Sequence, residues 1–337
     1  MEQHDGTGRA WTRRGFGKRI LSVGAVTAAA ACAAPDRGAD GAGAESPPLD
    51  RSLPPPPGHM ALVNNLEVHA DIRGRGRDVV LLHGAGGNAR DFTFQLAPLL
   101  AERGYRVISF DRPGLGWSQS LGDAGIDPRV QARHLEQAAV QFGVRRPIVL
   151  GHSYGGAVAM AWALNAQEGV SAPVSGLVSV AGATNTWPGG VGLWYDLVST
   201  RFGGRVVAPV LTGLVNRDRA QRAVASVFAP NPVPEGYLDH IGIGFSLDPD
   251  RLMVNARQVA GLKTHVRAME PRYGGLRMPL AIVFGTRDTT VPLDVHGERL
   301  AQQVPGAHLE VLADVGHMPH HTRPDAILAA IDRVRNG

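Results

Sequence analysis

From His59 onward, short apolar runs of strand type alternate with segments of helical spacing, and this alternation limits the fold more than any other feature of the chain. The runs at 78–84 (DVVLLHG), 105–111 (YRVISFD), 147–153 (PIVLGHS), 174–182 (VSGLVSVAG), 279–285 (PLAIVFG) and 308–314 (HLEVLAD) are nearly continuous in apolar residues. Strands buried on both faces read this way. Two shorter strands flank the Asn64-Asn65 turn. Helical spacing appears over 88–104 with a stop at Gly104, over roughly 128–142, from Tyr154 to about Asn165, near 293–303, and from Pro324 to near Val334. Strands alternating with helices require crossover connections. The expected fold is therefore α/β: a mostly parallel, doubly wound sheet of about eight strands with helices on both faces. Between residues 183 and 270 the alternation fails. Trp187, Trp194, Tyr195, Phe202, Phe228, Tyr237 and Phe245 sit there among Gly and Pro, as expected of a helical cap insert whose aromatics form a local core.

The charge is uneven. Net charge is +4, but Arg9, Arg13, Arg14, Lys18 and Arg19 against Glu2 and Asp5 place +3 of it within residues 1–31. The nearly neutral remainder has no basic stripe, which argues against nucleic acid as a partner. After the basic start come the twelve small or apolar residues Ile20–Ala31, then Cys32. A charged, then apolar, then small-residue order is that of a bacterial export signal over residues 1–34, too short to span a bilayer as a mature helix. TRRGFGK (12–18) resembles the twin-arginine export motif, with Gly17 where a bulky apolar residue is usual. Cys32, the sole cysteine, excludes an intrachain disulfide and stands where a lipoprotein would carry its lipid, although Ala29 replaces the usual leucine. The expected localisation is outside the bacterial cytoplasm, with any membrane tether made through Cys32. Residues 35–58, rich in Pro, Gly and Ala, read as a linker, leaving 59–337 as the folded domain.

Where the run IVL ends, residues 151–155 read G-H-S-Y-G. Glycines two positions either side of Ser153 suit a sharp strand-to-helix turn that pushes one side chain outward. Three further motifs follow other strands: His83-Gly84-Ala85-Gly86-Gly87, Gly285-Thr286-Arg287-Asp288 with Val291-Pro292, and Gly316-His317. Together, in this order, they resemble the α/β-hydrolase fold superfamily, over residues 59–337. The resemblance implies Ser153 as nucleophile, His317 as its base, Asp288 as the acid that orients His317, and backbone N–H groups of Ala85 and Tyr154 as the oxyanion hole. The Asp111–Ser118 loop, DRPGLGWS, is similar to the family's loop after the fourth strand, with Asp111 structural.

Nearby residues compete for these roles. His320 and His321 lie beside His317, and Asp314 is the rival acid; Ala183, Thr184 and Asn185 after the 174–182 run offer no carboxylate. His317, His320, His321 and Asp314 lack zinc-type spacing, so no metal is expected. HGAGGN lacks the Lys-Ser/Thr of a phosphate loop, and no cofactor is expected. A serine nucleophile disfavours the dehalogenases and epoxide hydrolases of the superfamily, which use aspartate. The expected activity is a serine hydrolase cleaving a partly apolar, small-molecule carboxylic ester through an acyl-enzyme. Carbon–carbon bond hydrolase, amidase or peptidase, and perhydrolase remain alternatives on the same triad, and a non-catalytic binding protein is the alternative of another class. Oligomeric state is open.

Overall fold

The structure, a computed structural model, describes residues 56–200 and 202–336; the expected export signal, Cys32 and all but the end of the expected linker lie outside the described residues. Eight strands form one sheet: β1 (His59–Val63), β2 (Leu66–Gly74), β3 (Arg77–Leu82), β4 (Tyr105–Phe110), β5 (Ile148–His152), β6 (Gly176–Val180), β7 (Leu280–Gly285) and β8 (His308–Leu312). Their order is β1-β2-β4-β3-β5-β6-β7-β8. β2 runs antiparallel to β1 and to β4, and every pair from β4 to β8 is parallel. The α/β fold is as the sequence implies.

The helices between strands are α1 (Arg90–Thr93), α2 (Leu96–Glu102), α3 (Pro128–Gln141) and α4 (Tyr154–Gln167). The insert between β6 and β7 carries α5 (Leu193–Val198), a π turn (Gly203–Val207), α6 (Ala208–Gly213), α7 (Arg217–Phe228), α8 (Tyr237–Ile241), α9 (Gly244–Leu247) and α10 (Pro249–Met269). α11 (Leu293–Gln303), α12 (Pro319–Thr322) and α13 (Pro324–Asn336) complete the chain. Both faces of the sheet are covered. Along β3, Val79 and Leu81 join Leu96, Leu100, Ile327 and Ile331 on one face, while Val80 and Leu82 join Leu135, Trp162 and Leu300 on the other. Each such side chain contributes about 1.5–3 kcal/mol on burial.

The single helix expected over 88–104 is instead two. Gln95, at φ −141° and ψ −53°, breaks it. The break serves two packing demands: Leu96, Ala97 and Leu100 face the sheet, whereas Phe94 turns to the rings of Tyr237, His240 and His321.

Two polar clusters fix what lies around the sheet's carboxyl edge. Glu270, at the end of α10, accepts from Asn185 Nδ2 and from Thr186 N and Oγ1 just after β6, and pairs with Arg299 of α11. The two ends of the insert are thereby stapled together. Asp111, fully buried after β4, accepts from Ala89 N, Trp117 N and His69 Nδ1. His69 Nε2 bonds the carbonyl of Pro57. With a carboxyl group against one ring nitrogen and a carbonyl against the other, the surroundings of His69 favour its imidazolium form. Burial alone would lower its pKa, but Asp111 and the Pro57 carbonyl raise it overall.

Candidate active site

Ser153 joins β5 to α4 with φ 52° and ψ −119°, a backbone conformation that costs a non-glycine residue roughly 1–3 kcal/mol. Its surroundings impose that conformation. Ser153 N donates to Val180 O at 3.0 Å, and Ser153 O accepts from Gly156 N at 2.9 Å and Ala183 N at 3.0 Å. The flanking glycines are a matter of space: a Cβ on Gly151 would lie 2.1 Å from Gly155 O, and one on Gly155 would lie 2.0 Å from Leu82 O. The turn can therefore fold back on its own strand, and Ser153 lines a cavity under the insert.

His317 lines the same cavity, delivered by the loop after β8. Its Nδ1 is 2.8 Å from Asp288 Oδ2, which leaves Nε2 on the opposite side of the ring. Asp288 is held in turn by Thr290 N at 2.8 Å and Val291 N at 2.9 Å, both on Oδ1. Those two donors stabilise the carboxylate and fix its free oxygen toward the imidazole. His317 O accepts from His152 Nε2 at 2.9 Å, so the residue before Ser153 also anchors the histidine loop. The rivals are elsewhere. Asp314 is exposed with φ 57°, and His320 and His321 bond a different carboxylate.

The loop after β3 brings Ala85 to the cavity. Tyr154 is the first residue of α4, so its N–H is among those a helix leaves without an intrahelical acceptor. Its side chain points away, buried beneath the Arg112 guanidinium 4.2 Å above its ring. Arg112 shapes the Ala85 loop from behind: Nε donates to His83 O at 2.9 Å and Nη2 to Gly84 O at 3.0 Å. Burial pushes Arg112 down to about 10, still cationic at neutral pH. His83, pushed down to about 4 by burial and by Arg112, accepts from Arg112 N through Nε2 and donates to Gly84 O through Nδ1. From the other side the insert clamps the same loop. Gly86 N donates to Asn255 Oδ1 at 2.7 Å, and Ser246 Oγ donates to Gly86 O at 2.7 Å. Sequence reasoning missed Asn255 and Ser246.

It also missed Asp91, whose carboxylate lies in the cavity wall. Tyr237 OH (2.7 Å) and His321 Nε2 (2.8 Å) bond one oxygen and His320 Nε2 (3.1 Å) the other. Burial by itself would raise Asp91, but His320 and His321 hold it well below the ordinary carboxylate range. His320 is pushed down to about 4 by burial. Donor atoms of Asp91, His152 and His320 also lie within 4.8 Å of one another, the only such group among the described residues. Asp91 is already satisfied by three donors and His152 Nε2 by His317 O, whereas Nδ1 of His152 and of His320 is buried with no partner. Phe228 and Tyr237, expected as local core of the insert, do pack in that core and also wall the cavity, together with Val224, Ile243 and Met318. They can serve both roles because α7 and α8 pack on each other while their inner faces close over Ser153.

Residues 79–330 match the Alpha/beta hydrolase family, well over half of the chain. Among curated proteins, the 2-hydroxy-6-oxononadienedioate/2-hydroxy-6-oxononatrienedioate hydrolase of Klebsiella pneumoniae is 28% identical over 277 residues, covering 77% of this chain and 88% of that protein. Among solved structures, an esterase from Exiguobacterium antarcticum superposes with TM-score 0.63 at 23% identity, covering 82% of this chain and 98% of its own. The enol-lactonase from Burkholderia xenovorans superposes with TM-score 0.61 at 19% identity, over 83% of this chain and 100% of its own. The chain belongs to the Alpha/beta hydrolase family.

Proposed function

We propose that this member of the family is a serine hydrolase that cleaves uncharged, partly apolar carboxylic esters. The observation that carries the reading is a strained, outward-facing Ser153 sharing one cavity with a histidine already bonded to a buried aspartate. Ser153 Oγ attacks the ester carbonyl as His317 Nε2 takes its proton. Asp288 keeps Nδ1 protonated and offsets the imidazolium charge. The N–H groups of Ala85 and Tyr154 receive the oxyanion, each worth about 3–4 kcal/mol by the cost of losing one such donor. Collapse expels the alcohol, which takes the proton from His317, and water attacks the acyl-serine by the same route in reverse.

The Klebsiella relative is named as the hydrolase of a dienedioate, a dicarboxylate. The same triad could serve that chemistry, but the cavity here suits it poorly. Among the described residues lining it there is no Lys or Arg, and the one carboxylate is that of Asp91, which His320 and His321 hold in its charged form. A second carboxylate in this cavity would meet repulsion with no cation to offset its desolvation. An ester or a lactone, the bond types named for the two structural neighbours, need not carry such a charge. A screen of p-nitrophenyl esters of graded chain length beside amides and a vinylogous dicarboxylate decides the matter. Ester turnover with negligible carbon–carbon cleavage is expected; the reverse order overturns the reading.

The basic start and the apolar Ile20–Ala31 run support export, with a tether at Cys32. Changing Arg13 and Arg14 to Lys is expected to strand the protein in the cytoplasm, and Cys32→Ala to release the exported form from the membrane fraction.

A further inference from the structure

One surface of the insert is apolar where a surface should be polar. From Phe202 to Val215 the only charged residue is Arg205. Gly203, Gly204, Ala208, Thr212 and Val215 are buried on the inner side, yet Phe202, Val206, Val210 and Leu214 are exposed on the outer side, with Phe202 at 69%. These four recur every four residues and so form one stripe. Leu193, 87% exposed, and Leu197 extend it along α5. An ordinary surface helix is apolar on one face only, as α7 is with its exposed Gln221 and Arg222 opposite buried Ala220, Ala223 and Val224. Large contiguous exposed apolar surface marks an interaction site.

We propose that this face of the insert docks on a lipid bilayer surface, with Phe202, Val206, Val210, Leu214 and Leu193 entering the boundary between headgroups and acyl chains. Two observations choose lipid as the occupant. The first is the rim. Arg205 lies within the stripe, Arg219 Nη1 donates to Leu214 O at its end, and Arg257, paired with Asp123, donates through Nε to Ser199 O where α5 ends, against the single exposed carboxylate of Asp196 on α5. Apolar side chains bordered by arginine complement an anionic membrane surface. The second is where the undescribed chain joins. Pro57 bonds His69 and shares a groove with His240 of α8, so the linker meets the domain at the insert. Residues 33–55 then separate the insert from Cys32 and the apolar Ile20–Ala31 run, with an extended length of at most about 80 Å. A membrane reached through that segment is within reach of the stripe. Docking would place the cavity under the insert beside the pool of apolar esters that a membrane holds, without altering the chemistry at Ser153.

The test uses the full chain with Cys32→Ser, so that no lipid can be attached, and Val210→Cys carrying an environment-sensitive dye. Vesicles of phosphatidylcholine and phosphatidylglycerol should shift the dye's emission to the blue, whereas the same dye on Val140→Cys, exposed on α3, should not respond. Combining Leu193→Ser, Phe202→Ser and Val206→Ser should weaken the vesicle response of the Val210→Cys dye by at least about tenfold. Their turnover of a short water-soluble ester should stay unchanged, while turnover of a long-chain ester embedded in the vesicles should fall. No blue shift at position 210 would overturn the proposal. So would a shift without vesicles that grows with protein concentration, since the face would then join two copies of the chain. Loss of turnover on both esters would show that the face supports the fold.

Discussion

Two buried aspartate–histidine clusters among the described residues border the cavity under the insert, and they differ in what is left over. In the Asp288–His317 pair, the carboxylate takes one imidazole and two backbone N–H groups, and the imidazole faces the cavity with its second nitrogen. In the Asp91 cluster, two imidazoles and a phenol converge on one carboxylate, and the Nδ1 atoms of His320 and His321 are buried with no partner. The first arrangement orients a base and keeps a lone pair for a reacting proton. The second spends its histidines as donors, leaving a fixed negative charge in the cavity wall and a tie between the core and α8. An Asp–His hydrogen bond is therefore insufficient to mark a base; the free edge of the ring decides.

The comparison can be broken most sharply by removing each charge. Asp288→Asn should leave the fold intact and lower kcat by up to about 10⁴, because the wrong imidazole tautomer is favoured. His320→Gln should change kcat by less than about tenfold. Steady-state kinetics on both variants checks this, and equal losses would erase the distinction. Asp91→Leu should reverse the pattern. It strands the donors of Tyr237, His320 and His321, at a cost of about 3–5 kcal/mol, read as a fall in Tm. The milder Asp91→Asn should raise kcat/KM for carboxylate-bearing esters about tenfold relative to uncharged ones. A smaller effect concerns the insert's clamp on the Ala85 loop. Asn255→Ala frees Gly86 N and should reduce kcat about tenfold with KM little changed, since the loop matters most when the oxyanion forms.

The smallest expected effect tests a third pair, Asp111–His69, which is structural. The folded state raises the His69 pKa, so this pair contributes fully below the unfolded value near 6.5 and is lost as pH rises through the raised folded value. Thermal melts from acid to alkaline pH should therefore show Tm declining across that window, and His69→Gln should flatten the decline.

Much of this was legible in the sequence, and for local reasons. Ser153 announces itself because its glycines are neighbours in the chain, and Asp288 because it follows a strand that reads clearly as buried. The parallel sheet follows from periodicity alone. Asp91 could not be seen this way: its partners lie 146, 229 and 230 residues away, and no spacing signals such a meeting. Asn255 is hidden for the same reason, 169 residues from Gly86. The break at Gln95 arises from packing between α1 and the insert, which the helical pattern of 88–104 cannot report. The insert itself was visible as a failure of alternation, but which of its aromatics would wall the cavity depended on how α7 and α8 close over Ser153.

The most direct measurement is the rate and position of fluorophosphonate labelling, followed by mass spectrometry, in the unaltered chain and in the Asp288→Asn and His320→Gln variants. A single adduct on Ser153 is expected, slowed by orders of magnitude in Asp288→Asn and within about tenfold of the unaltered rate in His320→Gln. An adduct on another residue, or a His320→Gln variant slower than Asp288→Asn, would contradict the assignment of the hydrolytic base to His317 and its carboxylate to Asp288.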